Sequence, residues 1–326
     1  MVKAFRFYEH GGSEVLRLED VALGEPQSGE LRIRNTAVAV NFRDVLVRRG
    51  THAVKAFPSG IGIESAGVVE AVGAGVDDFA VGQRVACVAG PDTAYAQARI
   101  IPAARAIVLP PAIDERTAAA MMIRGMTARY LLKETYRVQP GDTILIHAAA
   151  GGVGQIVCQW AKHLGATVIG TVGSDEKAAV ARQHGCDHAL VLGKDDIVER
   201  VRALTGGEGV PVVYDSIGKA TFEDSLRCLR RRGILASFGE ASGDPDPVPP
   251  RRLGQLGSLY VTHPSLGDYT ATREALLETA NDLFNMVMSG KIRIDIGMTY
   301  PFAEAPRAHA DLETRRTIGS IVLTVP

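Results

Sequence analysis

The 326-residue sequence is short of cysteine, of aromatic side chains and of net charge. Its four cysteines, Cys87, Cys158, Cys186 and Cys228, lie far apart and form no C-x-x-C pair. That spacing offers neither a disulfide framework nor a zinc knuckle, and a reducing cytoplasm is the compartment it fits. Aromatic residues make up 6%, with one tryptophan, and no base-stacking motif is visible. Lysine plus arginine number 36 against 37 aspartate plus glutamate, a net charge of −1. A balance of that kind gives no reason to expect nucleic acid or an anionic membrane as partner. No apolar run reaches the length of a membrane span, and the stretch Met1–His10 has no apolar signal core. What remains is the profile of a soluble α/β enzyme, long enough for two domains with a core each.

Against these absences stands one dense stretch. Thr143-Ile-Leu-Ile-His-Ala-Ala-Ala-Gly-Gly-Val-Gly154 runs an apolar strand into a glycine turn, and the turn opens an amphipathic helix. That order places backbone N–H groups and the positive end of a helix dipole where a diphosphate sits, so a dinucleotide is the expected ligand and hydride transfer the expected chemistry. Gly151 is expected to let the chain turn, Gly152 to let the backbone approach phosphate, and Gly154 to let the helix pack close to the strand. Val153 lies between them in the loop. The motif departs from G-x-G-x-x-G because Ala149 holds the first glycine's place. The plainer alternative is an α/β turn without ligand. The second strand, Thr167–Val172, in register after the helix, favours the nucleotide.

The end of that second strand bears on which nicotinamide cofactor binds. NAD sites usually carry an acid there for the ribose 2′-hydroxyl. Here Gly173 stands in that place, Ser174 offers a hydrogen bond and Lys177 a positive charge, which favours NADPH. Asp175 and Glu176 weigh against it unless they are first-turn acids of the next helix, turned to solvent. Lys177 is equally open to reading as a solvated surface charge.

Residues 1 to about 125 read as short strands and glycine turns, among them Leu31–Asn35, Ala66–Val72 and Gln83–Cys87, the pattern of a partly open β-barrel. From about residue 126 the rhythm becomes strand–helix–strand. Parallel strands are expected at Thr143–Ala148, Thr167–Val172, His188–Leu192, Val210–Ile217 and Ile234–Phe238. Helices are expected at Gln155–Leu164, Glu176–His184, Ile197–Leu204 and Ala220–Arg230. After about residue 265 come a helix, Thr272–Ser289, and a closing strand, Ile318–Val325. The expected division is therefore 1–125 and 265–326 for one discontinuous domain and 126–264 for a doubly wound nucleotide domain.

Taken together, His10–Leu16, Asn41-Phe-Arg-Asp44, Pro58–Glu64, His147–Gly154, Val213–Gly218, Ser237–Gly239 and Gly257–Ser265 resemble, in order, the zinc-independent quinone oxidoreductases of the medium-chain dehydrogenase/reductase superfamily, relatives of zeta-crystallin. The resemblance implies a GroES-like catalytic domain, a Rossmann domain with strand order 3-2-1-4-5-6, a cleft between them, and a homodimer joined near Leu259–Thr262. It implies that the segment Asn41, Phe42, Arg43, Asp44 to Leu46 lines the nicotinamide end of that cleft. Asn41 or Arg43 would then donate to a substrate oxygen, while Asp44 would orient the cofactor or a water. As an alternative, Asn41 and Asp44 cap a helix. It places Tyr130 near the diphosphate, or else as a packed helix aromatic, and Arg315 at a cofactor phosphate. Ile217, Phe238 and Gly239 stand at the ends of expected parallel strands, where open α/β sheets bind ligands, and flank the nicotinamide or belong to the core.

Zinc members of the superfamily carry a Gly-His-Glu motif. Here it reads Gly62-Ile63-Glu64, isoleucine cannot ligate a metal, and Glu64 is read as a structural acid. Metal-free reduction of an electrophilic quinone by NADPH is thus the expected reaction. The rivals are an enoyl or alkenal reductase on the same scaffold and a crystallin-like protein that binds NADPH or RNA. Leu46, His52 and Leu192 stand where the family often has tyrosines, which bears on the substrate pocket and on affinity for the 2′-phosphate. His52 is a candidate proton donor, or an ordinary solvent-facing loop histidine.

Overall fold

The structure, a computed structural model, describes residues 1–88, 90–314 and 317–326. In chain order its elements are β1 (Val2–Arg6), β2 (Arg17–Val21), β3 (Glu30–Val40), α1 (Phe42–Arg49), β4 (Glu64–Val72), β5 (Arg84–Val88), β6 (Ala98–Pro102), β7 (Ala106–Val108) and α2 (Glu115–Tyr130). There follow β8 (Thr143–Ile146), α3 (Gly152–His163), β9 (Thr167–Val172), α4 (Asp175–Gln183), β10 (His188–Val191), α5 (Ile197–Leu204), β11 (Val210–Asp215), α6 (Phe222–Cys228), β12 (Leu229–Ser237), α7 (Pro250–Gln255) and β13 (Tyr260–Thr262). The chain ends with α8 (Leu266–Tyr269), α9 (Arg273–Met288), β14 (Ile296–Pro301), α10 (Ala305–Glu313) and β15 (Ser320–Thr324).

Two compact units result. The first comprises Met1–Ile123, Thr272–Phe284 and Ile294–Pro326, the second Arg124–Ala271 and Asn285–Arg293. The chain thus returns to the first unit at Thr272 rather than near residue 265. The end of α9 and the turn after it, residues 285–293, belong with the second unit, not the first.

In the first unit a seven-stranded sheet runs β14-β15-β3-β4-β5-β7, with β6 also on β3. The eleven-residue strand β3 is its spine: in its first half Leu31 and Ile33 alternate with Arg32 and Arg34, and in its second half Ala37, Val38, Ala39 and Val40 are all buried. Leu31 and Ile33 pack there with Val69, Val85 and Ile101. A second cluster gathers Phe5, Phe7, Val38, Val40, Phe302 and Leu323.

In the second unit six parallel strands lie in the order β10-β9-β8-β11-β12-β13, which is 3-2-1-4-5-6 in their own numbering. Leu145, Ile169, Val213 and Leu235 of the inner strands are buried together with Phe222 and Leu226 of α6. Strands covered on both faces read as near-continuous apolar runs, and these do. Helix starts follow side-chain chemistry: Ser174 caps α4 by accepting from Lys177 N–H, and Asp196 caps α5 by accepting from Glu199 N–H. β11 stops at Asp215, two residues short of expectation, which leaves Ile217 in the following turn. Among the described residues no helix is long and apolar enough to cross a membrane.

Candidate active site

The second unit places its site residues by topology alone. Gly151–Gly154 follow β8, Gly173–Lys177 follow β9, Ile217 follows β11, and Phe238 and Gly239 follow β12. All the strands are parallel, so these loops share the carboxyl edge of the sheet, and the β8 loop stands where the strand order reverses. That is where open α/β sheets bind ligands.

The turn after β8 differs in detail from the expected one. Gly151 is extended (φ −79°, ψ 173°) and caps α3. The left-handed residue is Ala148, at φ 54°, so the turn is made three residues earlier and by a residue with a side chain. Gly154 is required by space. A Cβ there would lie 2.3 Å from Ala148 O and 2.8 Å from Ala149 Cα, both backbone atoms of the turn. A Cβ at Gly152 would meet not open space but Arg124, at 2.5 Å from Cδ and 2.6 Å from Nε. The first N–H of α3 to close onto the preceding backbone is that of Gln155, 2.9 Å from Gly151 O. The N–H groups of Gly152, Val153 and Gly154 form the open first turn, the anion-binding end of the helix.

At the end of β9, a Cβ on Gly173 would meet nothing within 4 Å, so there is room for a phosphate. Asp175 is ion-paired with Lys194. The Ser174 side chain hydrogen-bonds Glu176 and holds that carboxyl below its usual pKa. Both acids that weighed against a 2′-phosphate are thus engaged within the loop region.

Behind these loops lies a buried network that sequence reasoning did not assemble. Asp215 accepts from Ile217 N–H (2.8 Å), Gly218 N–H (3.0 Å), Thr221 Oγ (2.8 Å) and Ser225 Oγ (2.7 Å). Because the Ser225 proton goes to Asp215, Ser225 Oγ accepts from His147 Nε2–H at 2.9 Å, and Thr171 Oγ donates to Nδ1 at 2.7 Å. Burial holds the His147 pKa below its usual value, in keeping with a neutral ring. The network ties the ends of β8, β9 and β11 together and fixes the turn that carries Ile217. Ser225→Ala is expected to leave two buried polar groups short of a partner and cost about 1–3 kcal/mol, seen as a lower denaturant midpoint.

Tyr130 lies in the packed-aromatic position. Its ring stacks on Tyr269 at 4.4 Å, and its hydroxyl donates to Pro264 O at 3.3 Å. Ile217 and Phe238 are half-buried, and Phe238 N–H donates to Asp215 O at 2.8 Å. Arg315 lies outside the described residues.

In the first unit, helix α1 begins at Phe42, and Asp44 accepts Asn41 N–H at 2.9 Å, the reciprocal bond of a capping box. The Asn41 side-chain amide instead donates to Glu64 Oε2 at 2.8 Å, while Glu64 Oε1 accepts Ile123 N–H at 2.6 Å. Glu64 is fully buried and ties β4 to α1 and α2. Arg43 is ion-paired with Asp92 at 2.6 Å. Phe42 and Leu46 are half-buried on the same helix, and His52 follows it, its N–H on Leu46 O at 3.2 Å.

Asp44 begins a second buried chain. Tyr95 Oη donates to Asp44 Oδ2 at 3.2 Å and accepts from His309 Nε2 at 3.0 Å. Among the described residues Asp44 Oδ1 and His309 Nδ1 have no hydrogen-bond partner. Burial raises the Asp44 pKa to about 6, and burial lowers that of His309 to about 3. The two act oppositely on stability. The unfolded chain takes up a proton at histidine below the ordinary value of 6.5, so the His309 contribution is present above that pH and lost as pH falls toward 3. The Asp44 contribution is present below 3.8 and lost as pH rises toward 6. His309→Gln, which keeps a donor toward Tyr95, is therefore expected to flatten the loss of stability below about pH 6 in urea titrations, with little change near pH 8.

Comparison with known proteins bears on the same chain segments. Residues 27–140 match the alcohol dehydrogenase GroES-like domain, and residues 152–282 match the zinc-binding dehydrogenase domain. A quinone oxidoreductase of Pseudomonas aeruginosa is 48% identical over 323 residues, covering 99% of each chain. A 2-haloacrylate reductase of Burkholderia is 47% identical over 329 residues, again with 99% of each covered. Among solved structures, the Escherichia coli quinone oxidoreductase complexed with NADPH superposes with a TM-score of 0.97 at 44% identity, covering 99% of each chain. The chain belongs to the quinone oxidoreductase family of the medium-chain dehydrogenase/reductase superfamily. The metal in the name of one matching domain does not fit these residues. Position 63 is isoleucine, the Glu64 oxygens accept from Asn41 and Ile123, and no group of three His, Cys, Asp or Glu among the described residues has metal-binding geometry.

Proposed function

We propose that this protein is an NADPH-dependent quinone reductase that works without a metal. The observation that carries the proposal is the first turn of α3: three open N–H groups at the switch point of a 3-2-1-4-5-6 sheet, drawn onto the turn by Gly154. Identity of 48% over almost the whole length to a quinone oxidoreductase supports the choice of acceptor.

NADPH, when bound, supplies the hydride. The residues of this chain bind and orient. Gly151, Gly152, Val153 and Gly154 hold the diphosphate, and Gly173, Ser174 and Lys177 hold the 2′-phosphate. Ile217, Phe238 and Gly239 stand beside the nicotinamide at the carboxyl edge of the sheet. In the first unit the Asn41 amide, fixed by Glu64, keeps a second N–H for a substrate oxygen, and Arg43 would reach that oxygen by exchanging its ion pair with Asp92. The phenolate oxygen left by hydride transfer to a quinone is basic enough to take its proton from solvent, so no dedicated acid is assigned. Asp44 is fully buried and serves as a positioning residue through the Asn41 backbone. In domain terms, the unit of Met1–Ile123, Thr272–Phe284 and Ile294–Pro326 would be the catalytic domain, and that of Arg124–Ala271 and Asn285–Arg293 the nucleotide domain.

A second reading, reduction of a C=C bond conjugated to a carbonyl, is favoured by the 47% identity to a 2-haloacrylate reductase. Stopped-flow oxidation of NADPH and of NADH against 1,4-benzoquinone, 9,10-phenanthrenequinone and 2-alkenals separates the two. Rapid turnover with quinones and NADPH is expected. Turnover confined to alkenals moves the assignment to the second reading, and no turnover with any acceptor refutes both.

The proposal includes a cytoplasmic homodimer. The four cysteines are all free and buried, as suits a reducing compartment. Among the described residues edge strand β13 pairs only with β12, and it exposes Tyr260 (58%) and Val261 (38%), an apolar edge open to a second copy. Val261→Lys is expected to convert a dimer to a monomer in light scattering. An unchanged mass would move the interface elsewhere.

A further inference from the structure

We infer that Glu64 sets the hydrogen-bonding polarity of Asn41, and with it the preference of the site for a carbonyl oxygen over a hydroxyl group. Glu64 is then a positioning residue and a determinant of specificity, on the reading of Asn41 given above. An amide side chain has two ends of nearly equal shape and opposite chemistry, one that accepts and one that donates, and shape alone does not choose between them. At position 41 the choice falls to Glu64. That residue is fully buried at the start of β4, opposite Val88 of β5. Both its oxygens are taken by N–H donors: Oε1 accepts Ile123 N–H at 2.6 Å, and Oε2 accepts the Asn41 amide at 2.8 Å. An accepting oxygen can face only the NH2 end of Asn41. Glu64 has further contacts in the fold, and the atom it turns to Asn41 is an oxygen in any case. Asn41 is buried to all but 8%. With one N–H spent on Glu64, the other is what its NH2 end offers a ligand.

That polarity sorts ligands by chemistry. A quinone or enone oxygen has lone pairs and no proton, so it matches an N–H donor. Hydride transfer leaves negative charge on the same oxygen, and the hydrogen bond strengthens as the charge develops. Once protonated, the oxygen is a weaker acceptor, and its own O–H finds no acceptor at this end of Asn41. The amide thus favours the substrate and the developing anion over the hydroxyl product. Turned over, it would set a lone pair against the carbonyl and welcome the O–H instead.

Glu64→Gln turns it over with almost no change in shape. The backbone N–H of Ile123 cannot reverse, so the oxygen of the new amide stays there and its NH2 group faces Asn41. Asn41 must then present Oδ1 to it. The expected result is a fall of about 10–100-fold in kcat/KM for 1,4-benzoquinone. Phenol, a dead-end ligand that carries an O–H, is expected to inhibit at least as tightly as in wild type. NADPH affinity is expected to stay within about twofold. Asn41→Ala is expected to show a similar loss in kcat/KM, and adding Glu64→Gln to it to change nothing further, because Glu64 acts through Asn41. Equal weakening of benzoquinone and phenol in Glu64→Gln, with a lowered thermal midpoint, overturns the inference, because it marks a structural role. A full further loss from Glu64→Gln on top of Asn41→Ala also overturns it. Unchanged kcat/KM in Glu64→Gln beside a loss in Asn41→Ala overturns this inference alone. Wild-type kcat/KM in Asn41→Ala overturns the reading of Asn41 as well.

Discussion

Gly154→Ala is expected to abolish measurable NADPH binding and to lower the thermal midpoint of the protein. The added methyl would stand 2.3 Å from Ala148 O and 2.8 Å from Ala149 C and Cα. These are backbone atoms, held in turn by Gly151 N–H on Ala148 O at 2.8 Å and by Ala149 N–H on Thr171 O at 3.0 Å. No rotamer change can relieve the contact, so α3 must move off β8. Overpacking of this kind costs about 1–3 kcal/mol, and at a rigid backbone contact the upper end applies. For a unit of this size that is a fall of roughly 4–10 °C in a calorimetric scan. The functional loss exceeds the loss in stability, because moving α3 also moves the three N–H groups that hold the diphosphate. Gly173→Ala is the control. Its Cβ meets nothing within 4 Å, so the protein is expected to keep its thermal midpoint and to lose only affinity for the 2′-phosphate. If Gly154→Ala binds NADPH as well as wild type does, the loop is not the diphosphate site.

The legible parts of this fold were those set by local chemistry. Helix α5, Ile197–Leu204, stands where its apolar spacing places it, because Asp196 marks its start and the glycines at 206–207 follow its end. The strand–helix rhythm marked the strands as parallel, and their order followed from the resemblance. Strand β12 was harder. Its first half, Leu229-Arg-Arg-Arg-Gly233, carries three arginines and a left-handed Arg232. That half reads as the tail of α6, so the helix expected at Ala220–Arg230 is longer than the observed Phe222–Cys228. The turn after β8 hid its strained residue for a different reason. Glycine is the usual left-handed residue, and here Ala148 takes that conformation while Gly151 does not.

The polar networks were illegible because they join distant positions. Asp44, Tyr95 and His309 are separated by 51 and 214 residues. His147 and Ser225 are 78 apart. No periodicity carries such information, and only the packed fold brings these groups together. Asn41 and Asp44 held both a functional and a capping interpretation. Asp44 does cap the start of α1, but the Asn41 amide is committed to Glu64.

The coenzyme preference turns on the same kind of pairing. Lys177→Ala is expected to raise the KM for NADPH about 10–100-fold and to leave that for NADH within about threefold. If the 2′-phosphate sits above Gly173 as proposed, it meets the N-terminal turn of α4, where Ser174 Oγ already holds Lys177 N–H at 3.3 Å. A cation in the first turn of a helix is unfavourable by itself and favourable once a dianion bridges it to the open N–H groups. NADH has only a hydroxyl at that position, so it gains nothing from the ammonium. Asp175 would oppose the phosphate if it were free, and its ion pair with Lys194 offsets that charge. Lys194→Ala should therefore weaken NADPH as well, but by only about two- to fourfold, because the pair is exposed and screened by salt. Raising the salt concentration is expected to shrink the Lys194 effect more than the Lys177 effect, since a bound phosphate shields its partner from solvent. Steady-state kinetics with both coenzymes at two ionic strengths measures all of these ratios. If NADPH and NADH respond equally to Lys177→Ala, the 2′-phosphate is held elsewhere than at the end of β9.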